Sequence, residues 1–257
     1  MEKIKFEYLH NKSVSKIVLS NGKGNILDSG MMKELHELFL DFKTNNDLKL
    51  IIFEGEGNHF CFGASVEEHT KENAPIMLSN FNKLFYELID LSIPTLAKVS
   101  GQCLGGGMEL AIMCNVILCD KTAKFGQPEI VLGVFAPVAS LILPYKIGSG
   151  YADELLISGR TISAEEAKAI GLVNEICDDK AAMETSCQEW IEKNILPKSA
   201  SSLRFAVKAS RIKLNRIIKK DLPKLENKYI KQLMETNDAN EGINSFLEKR
   251  KPIWQNK

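Results

Sequence analysis

The stretch Gly101-Gln102-Cys103-Leu104-Gly105-Gly106-Gly107-Met108-Glu109 decides how this chain is read. It follows an apolar run, Thr95-Leu96-Ala97-Lys98-Val99, which Pro94 keeps from starting as a helix, and it leads into the helix-like Leu110-Ala111-Ile112-Met113-Cys114. The pattern predicts a strand, a glycine turn and a helix start, with Glu109 in the first helical turn. Consecutive glycines open backbone conformations closed to other residues and let a ligand approach the main chain. Unpaired N–H groups at a helix start attract negative charge. These residues alone leave two readings open: an anion trap with a carboxylate beside it, or a glycine turn that only packs a strand against a helix.

Outward from this stretch, strand and helix patterns alternate. Val14-Ser15-Lys16-Ile17-Val18-Leu19 predicts a strand, and Asn21-Gly22-Lys23-Gly24-Asn25 closes it as a turn. Met31, Met32, Leu35, Leu38, Phe39 and Phe42 recur at helical spacing before an apolar strand, Leu48 to Phe53. Asn73-Ala74-Pro75 opens a helix with Ile76, Leu78, Phe81, Leu84, Phe85, Leu88 and Ile89 on its buried side. Val116-Ile117-Leu118-Cys119 predicts another strand. Beyond Pro137, helices are expected over Val138 to Lys146, over Gly150 to Ile157, and after Ser163, which forms a capping box with Glu166. Leu172 to Ile176 is a last short strand, and Lys180 to Phe246 reads as amphipathic helices. This order predicts an α/β fold with a buried sheet. A boundary near Leu196-Pro197 separates an α/β core, residues 1–196, from a helical C-terminal region, residues 197–257.

At 257 residues and 44% hydrophobic composition the chain can bury one substantial core. Lys+Arg and Asp+Glu are both 33, a balance that argues against a nucleic-acid or membrane-surface binder. The six cysteines show no CxxC pairing and lie largely in apolar runs, which predicts free thiols and a reducing, cytoplasmic setting. The N-terminus lacks the apolar core of a signal peptide, and the apolar run near Ile130 to Pro144 is too short to span a bilayer.

The strongest catalytic constellation is a pair of carboxylates, Glu109 after the glycines and Glu129 directly after Pro128. If they converge they can hold one water between them, one accepting its proton and the other donating a proton elsewhere. Burial beside a second carboxylate raises at least one pKa, as a carboxyl acid needs near neutral pH. Away from such a setting two glutamates are ordinary solvated charges. Gly55 to Ser65 is a second glycine-bearing loop whose apolar Phe60, Cys61 and Phe62 call for burial, so it is a candidate site wall. A carbonyl that becomes an enolate would place its oxygen at amides such as those of Ala64 and Gly106. Neither a metal cluster nor a Ser-His-Asp arrangement competes. His36 is expected to be solvated, while His59 and His69 flank the loop as supporting candidates.

Three segments carry a resemblance: Phe62-Gly63-Ala64-Ser65, Gly101 to Ala111, and Phe125-Gly126-Gln127-Pro128-Glu129-Ile130 with Leu132-Gly133. They resemble the enoyl-CoA hydratase/isomerase (crotonase) superfamily, with further matches at Ser158-Gly159-Arg160, Ala164 to Ala167, Gly171-Leu172-Val173 and Phe246 to Lys251. The resemblance implies a superhelix of ββα turns with a helical C-terminal trimerisation region. It implies an acyl-CoA thioester as substrate, its carbonyl between the amides of Ala64 and Gly106, with Glu109 activating water and Glu129 exchanging a proton at carbon. Phe246 and Lys249 match positions that approach CoA. No metal and no cofactor beyond the substrate's own coenzyme A are implied, and the expected assembly is a homotrimer or dimer of trimers.

Two departures from the family pattern define the expected pocket wall, with Phe62, Ser65, Val134, Phe135 and Pro137 as its residues. The usual Gly-Ala-Asp reads Gly63-Ala64-Ser65, and the usual Pro-Gly-Ala-Gly-Gly reads Ala136-Pro137-Val138-Ala139-Ser140, where Pro137 has no N–H to offer. Within the family these segments resemble the hydratases of cyclohexa-1,5-diene-1-carbonyl-CoA more than those of straight-chain crotonyl-CoA. Hydration of a cyclohexenoyl or linear enoyl-CoA, double-bond isomerisation, and a non-catalytic acyl-CoA- or RNA-binding paralogue are the alternatives.

Overall fold

A computed structural model describes all residues, Met1–Lys257. A large sheet has the strand order β1 (Ile4–Leu9), β2 (Val14–Leu19), β3 (Leu50–Gly55), β4 (Thr95–Val99), β6 (Val116–Asp120), β9 (Glu175–Cys177). Only β1 and β2 pair antiparallel; the rest are parallel, with Ile51 opposite Thr95 and Leu96 opposite Val116. A small second sheet joins β5 (Gln102–Leu104), β7 (Lys124–Gly126) and β8 (Thr161–Ser163). Parallel neighbours require crossovers. Helix α1 (Ser29–Phe42) links β2 to β3, and α2 (Ala74–Leu91) links β3 to β4.

Both faces of the large sheet are covered, which is why its strands are apolar on consecutive residues. Ile51 and Phe53 point into the main core with α1 and α2, whereas Leu50 and Ile52 join a smaller cluster. That cluster is closed by Met183, Cys187 and Ile191 of α7 (Lys180–Asn194). The last expected strand begins at Glu175 rather than Leu172, and β1 and the three short strands of the small sheet are additional to the expected elements. Ile76 is 69% exposed because Pro75 places it in the first turn, off the buried face that Met77, Leu78 and Phe81 make.

The opening stretch is more articulated than a single turn. At Gly101 (φ 55°) the chain leaves the large sheet, since a Cβ there would stand 2.2 Å from the Asn58 carbonyl oxygen. It then adds β5 to the small sheet before α3 (Gly105–Met113) begins. Of the three glycines only Gly105 (φ 49°) has a left-handed backbone. Gly107 serves close packing instead: a Cβ would meet Cys61 at 2.6 Å. Glu109 therefore lies in the second turn of α3, not the first.

Helices α4 (Pro137–Ile147), α5 (Ser149–Ser158) and α6 (Ala164–Ala169) follow. The predicted capping box is half formed: Ser163 accepts from the Glu166 amide, but the Glu166 carboxylate pairs with Arg160. After α8 (Ala200–Ser210), the long α9 (Ile212–Lys231) and α10 (Asn237–Leu247) fold back. Leu214, Ile218, Leu222, Tyr229 and Ile243 join the same apolar core as α1 to α4. No helix is long and apolar enough to cross a membrane, and all six cysteines are buried free thiols.

His36 corrects the sequence expectation. It is 8% exposed on α1, its Nδ1 2.7 Å from Glu87 and its Nε2 3.0 Å from the Asn80 carbonyl of α2. It ties the two helices together, because α2 supplies two acceptors exactly where α1 would otherwise face water.

Candidate active site

One cavity of about 530 Å³ opens between the glycine loops, the start of α4 and the C-terminal helices. Phe62, Ala64, Ser65, Gly106, Glu109, Glu129, Val134, Phe135, Pro137 and Phe246 all line it. Lys249 does not; it stands just past α10 with φ 56°. The loop's apolar anchors divide, Phe60 and Cys61 fully buried and Phe62 exposed at the cavity.

Two backbone amides meet at one end. Gly63 (φ 119°) turns the loop so that the Ala64 amide approaches α3, and a Cβ on Gly106 would stand 3.1 Å from the Ala64 nitrogen. Gly106, second in α3, has no intrahelical acceptor. The pair can hold a carbonyl oxygen that gains negative charge.

Glu109 is 3% exposed, and its carboxylate accepts from the Ala139 amide at 2.8 Å. Pro137 does not impoverish this corner: its fixed φ starts α4, and the helix-start amides that follow supply the donor. Burial pushes the Glu109 carboxyl up to about 7, against the lowering effect of the Ala139 and Val138 amides. Glu129, in the 3-10 turn Pro128–Leu132, is raised well above the usual carboxylate range by burial and then by the Glu109 charge. A Cβ on Gly105, itself at the left-handed φ of 49°, would crowd Glu129 Oε1 at 3.0 Å. Burial raises both glutamates; at Glu109 amide donors offset part of the rise, while at Glu129 the neighbouring Glu109 charge adds to it.

Gln127, directly before Pro128, belongs to the site although its residue type alone does not place it there. Its side chain is 1% exposed, and one end of its amide lies 3.0 Å from both Glu129 oxygens. An amide can donate to a carboxylate or accept from a carboxylic acid, so this contact suits either state of Glu129. Tyr229 of α9 also lines the cavity. Its heptad-like spacing after Leu214, Ile218 and Leu222 marks a buried face, which was the available signal.

The histidines separate. His69 lines the cavity, its Nδ1 2.6 Å from the Ser65 carbonyl, and burial lowers its pKa. His59 lies outside it, accepting from the Gln102 amide at 3.1 Å and packing on the Phe62 ring. Its role is to hold the two glycine loops together.

The sequence matches the profile described as Enoyl-CoA hydratase/isomerase over residues 10–257. The chain belongs to the enoyl-CoA hydratase/isomerase family. It is 40% identical over 245 residues to a cyclohexa-1,5-dienecarbonyl-CoA hydratase of Thauera aromatica, covering 95% of this chain and 94% of that one. A probable enoyl-CoA hydratase of Bacillus subtilis is 34% identical, with 94% and 95% covered. The fold agrees with the crystal structure of an enoyl-CoA hydratase from Mycobacterium avium subsp. paratuberculosis, at a TM-score of 0.86, 20% identity and 99% of each chain covered. The protein is a crotonase-fold enzyme, a lyase of the enoyl-CoA hydratase type.

Proposed function

We propose that this enzyme adds water reversibly to a conjugated cyclic dienoyl-CoA thioester, cyclohexa-1,5-diene-1-carbonyl-CoA. The observation that carries the choice of acyl group is the near-full-length 40% identity to a hydratase of that name. The wall is compatible with it: Phe135 and Pro137 bring rigid rings to the cavity beside both glutamates.

In this proposal the thioester oxygen lies between the amides of Ala64 and Gly106. Glu109, as carboxylate, takes a proton from water while the oxygen bonds to a carbon of the conjugated system. The displaced electron pair moves onto the thioester oxygen, where the two amides stabilise it by about 2.7–4 kcal/mol per donor. As the carbonyl re-forms, Glu129 gives its proton to carbon. The reverse sequence expels water, and the proton count balances because each glutamate ends in the other's starting state. The proposed steps call for no cofactor beyond the substrate's own coenzyme A.

Phe246 at the cavity and Lys249 beyond it are proposed to meet the CoA adenine and phosphates. Residues 197–257 are proposed as the oligomerisation region of a homotrimer or dimer of trimers. Helix α8 supports this, since it buries none of its residues and leaves Phe205 exposed.

One assay tests the substrate. The protein is incubated with cyclohexa-1,5-diene-1-carbonyl-CoA, cyclohex-1-ene-1-carbonyl-CoA and crotonyl-CoA, and loss of conjugation is followed with product mass. The cyclic diene is expected to turn over fastest; faster turnover of crotonyl-CoA overturns the proposal.

A further inference from the structure

We infer that Tyr229 is a third polar group of the reaction, its hydroxyl donating to the oxygen that water brings to the substrate. Tyr229 is 1% exposed, and its hydroxyl is buried without a hydrogen-bond partner in the protein. A buried hydroxyl with nothing to bind is disfavoured unless a ligand or water satisfies it. The same residue lines the cavity that holds Glu109 and Glu129. The charges of those two glutamates add to burial in raising its phenol pKa, so it stays a neutral donor throughout the working pH range.

Its placement is fixed from two sides. The ring packs on Phe135 with centroids 5.4 Å apart and planes tilted by 57°. Helix α9, which carries it, is anchored in the core through Leu214, Ile218 and Leu222. The hydroxyl is therefore held where the chain offers it no acceptor, beside the carboxylates proposed to handle water. A donor at this point uses one lone pair of the water oxygen and leaves another for bonding to carbon. In the reverse direction it supports the departing hydroxyl. Tyr229 transfers no proton of its own, so the balance between Glu109 and Glu129 is unchanged.

The inference rests on the hydratase proposal for its kinetic consequence, but its binding consequence can be read without turnover. Tyr229→Phe keeps the ring against Phe135 and removes only the hydroxyl. With the thioester that the wild type hydrates fastest, kcat is expected to fall about tenfold at unchanged KM, the size of one lost hydrogen bond. The unfolding temperature should stay equal or rise, which separates this from a structural defect. By calorimetry, the wild type is expected to bind 2-hydroxycyclohexane-1-carbonyl-CoA more tightly than cyclohexane-1-carbonyl-CoA. The variant should lose that preference. Equal preference for the two esters in wild type and variant overturns the assignment of Tyr229. Retained discrimination by a wild type that hydrates none of the thioesters would sustain Tyr229 as the hydroxyl contact and remove the hydratase proposal instead.

Discussion

The two ends of the cavity are built differently. At the reactive end, the amides of Ala64 and Gly106 and the carboxyls of Glu109 and Glu129 are positioned by backbone: Gly63 at φ 119°, Gly105 at φ 49°, and the Ala139 amide 2.8 Å from Glu109. Along the rest of the wall, Phe135, Pro137 and His69 define the space by side-chain volume and polarity. Gly63 and Gly105 resist substitution because their positive φ is strained for any side chain, and a Cβ on Gly106 would crowd the Ala64 nitrogen and the Phe81 ring at 3.1 Å. Side-chain walls can change residue by residue while the backbone stays. Such a division lets one reaction scaffold accept different acyl groups.

Removing a carboxylate is the most severe way to break this contrast. Glu109→Gln and Glu129→Gln are each expected to lower kcat by about 10²–10⁴-fold while leaving binding of a saturated CoA ester largely intact. Steady-state kinetics with isothermal titration would check both halves, and a double variant that still turned over would show that the acyl end supplies the chemistry. A milder change should act mainly on substrate choice. Phe135→Ala enlarges the cavity and removes a rigid ring from its wall, so the ratio of kcat/KM for the cyclic diene over crotonyl-CoA should drop about tenfold. Equal losses on both substrates would mean that the two ends are not separable.

The smallest effect concerns stability. Because the folded-state pKa of Glu109 is raised from 4.5 to about 7, ionisation opposes folding progressively as pH rises from 4.5, and the full cost is present above 7. Glu109→Gln should therefore unfold at a higher temperature than the wild type at pH 8, with the difference shrinking toward pH 5. Calorimetric scans at the two pH values measure it; a difference that grew toward acid would reverse the assigned cause.

Much of the reactive end was legible in the sequence. Three glycines before an apolar helix, and a proline directly before a glutamate, restrict the backbone locally, and local restriction is written in residue type and order. The parts that were misread depend on what packs from elsewhere. His36 has the helical position of a solvated residue, yet α2 covers it with Glu87 and the Asn80 carbonyl. Glu166 has capping-box spacing, but Arg160 takes its carboxylate. Pro137 reads as a lost donor, while the helix it starts puts the Ala139 amide on Glu109.

The sequence by itself determined the alternation of strands and helices, the glycine-framed amides, the two carboxyls and the family. Periodicity and backbone freedom are properties of neighbouring residues, so they survive without the fold. Only the tertiary structure decided that Glu109 and Glu129 share one cavity with differently biased protonation, that His69 lines it while His59 does not, and that Tyr229 arrives from α9 with an unpartnered hydroxyl. Desolvation, charge proximity and an unpaired donor are set by groups far apart in the chain, and they exist only once folding has brought those groups together.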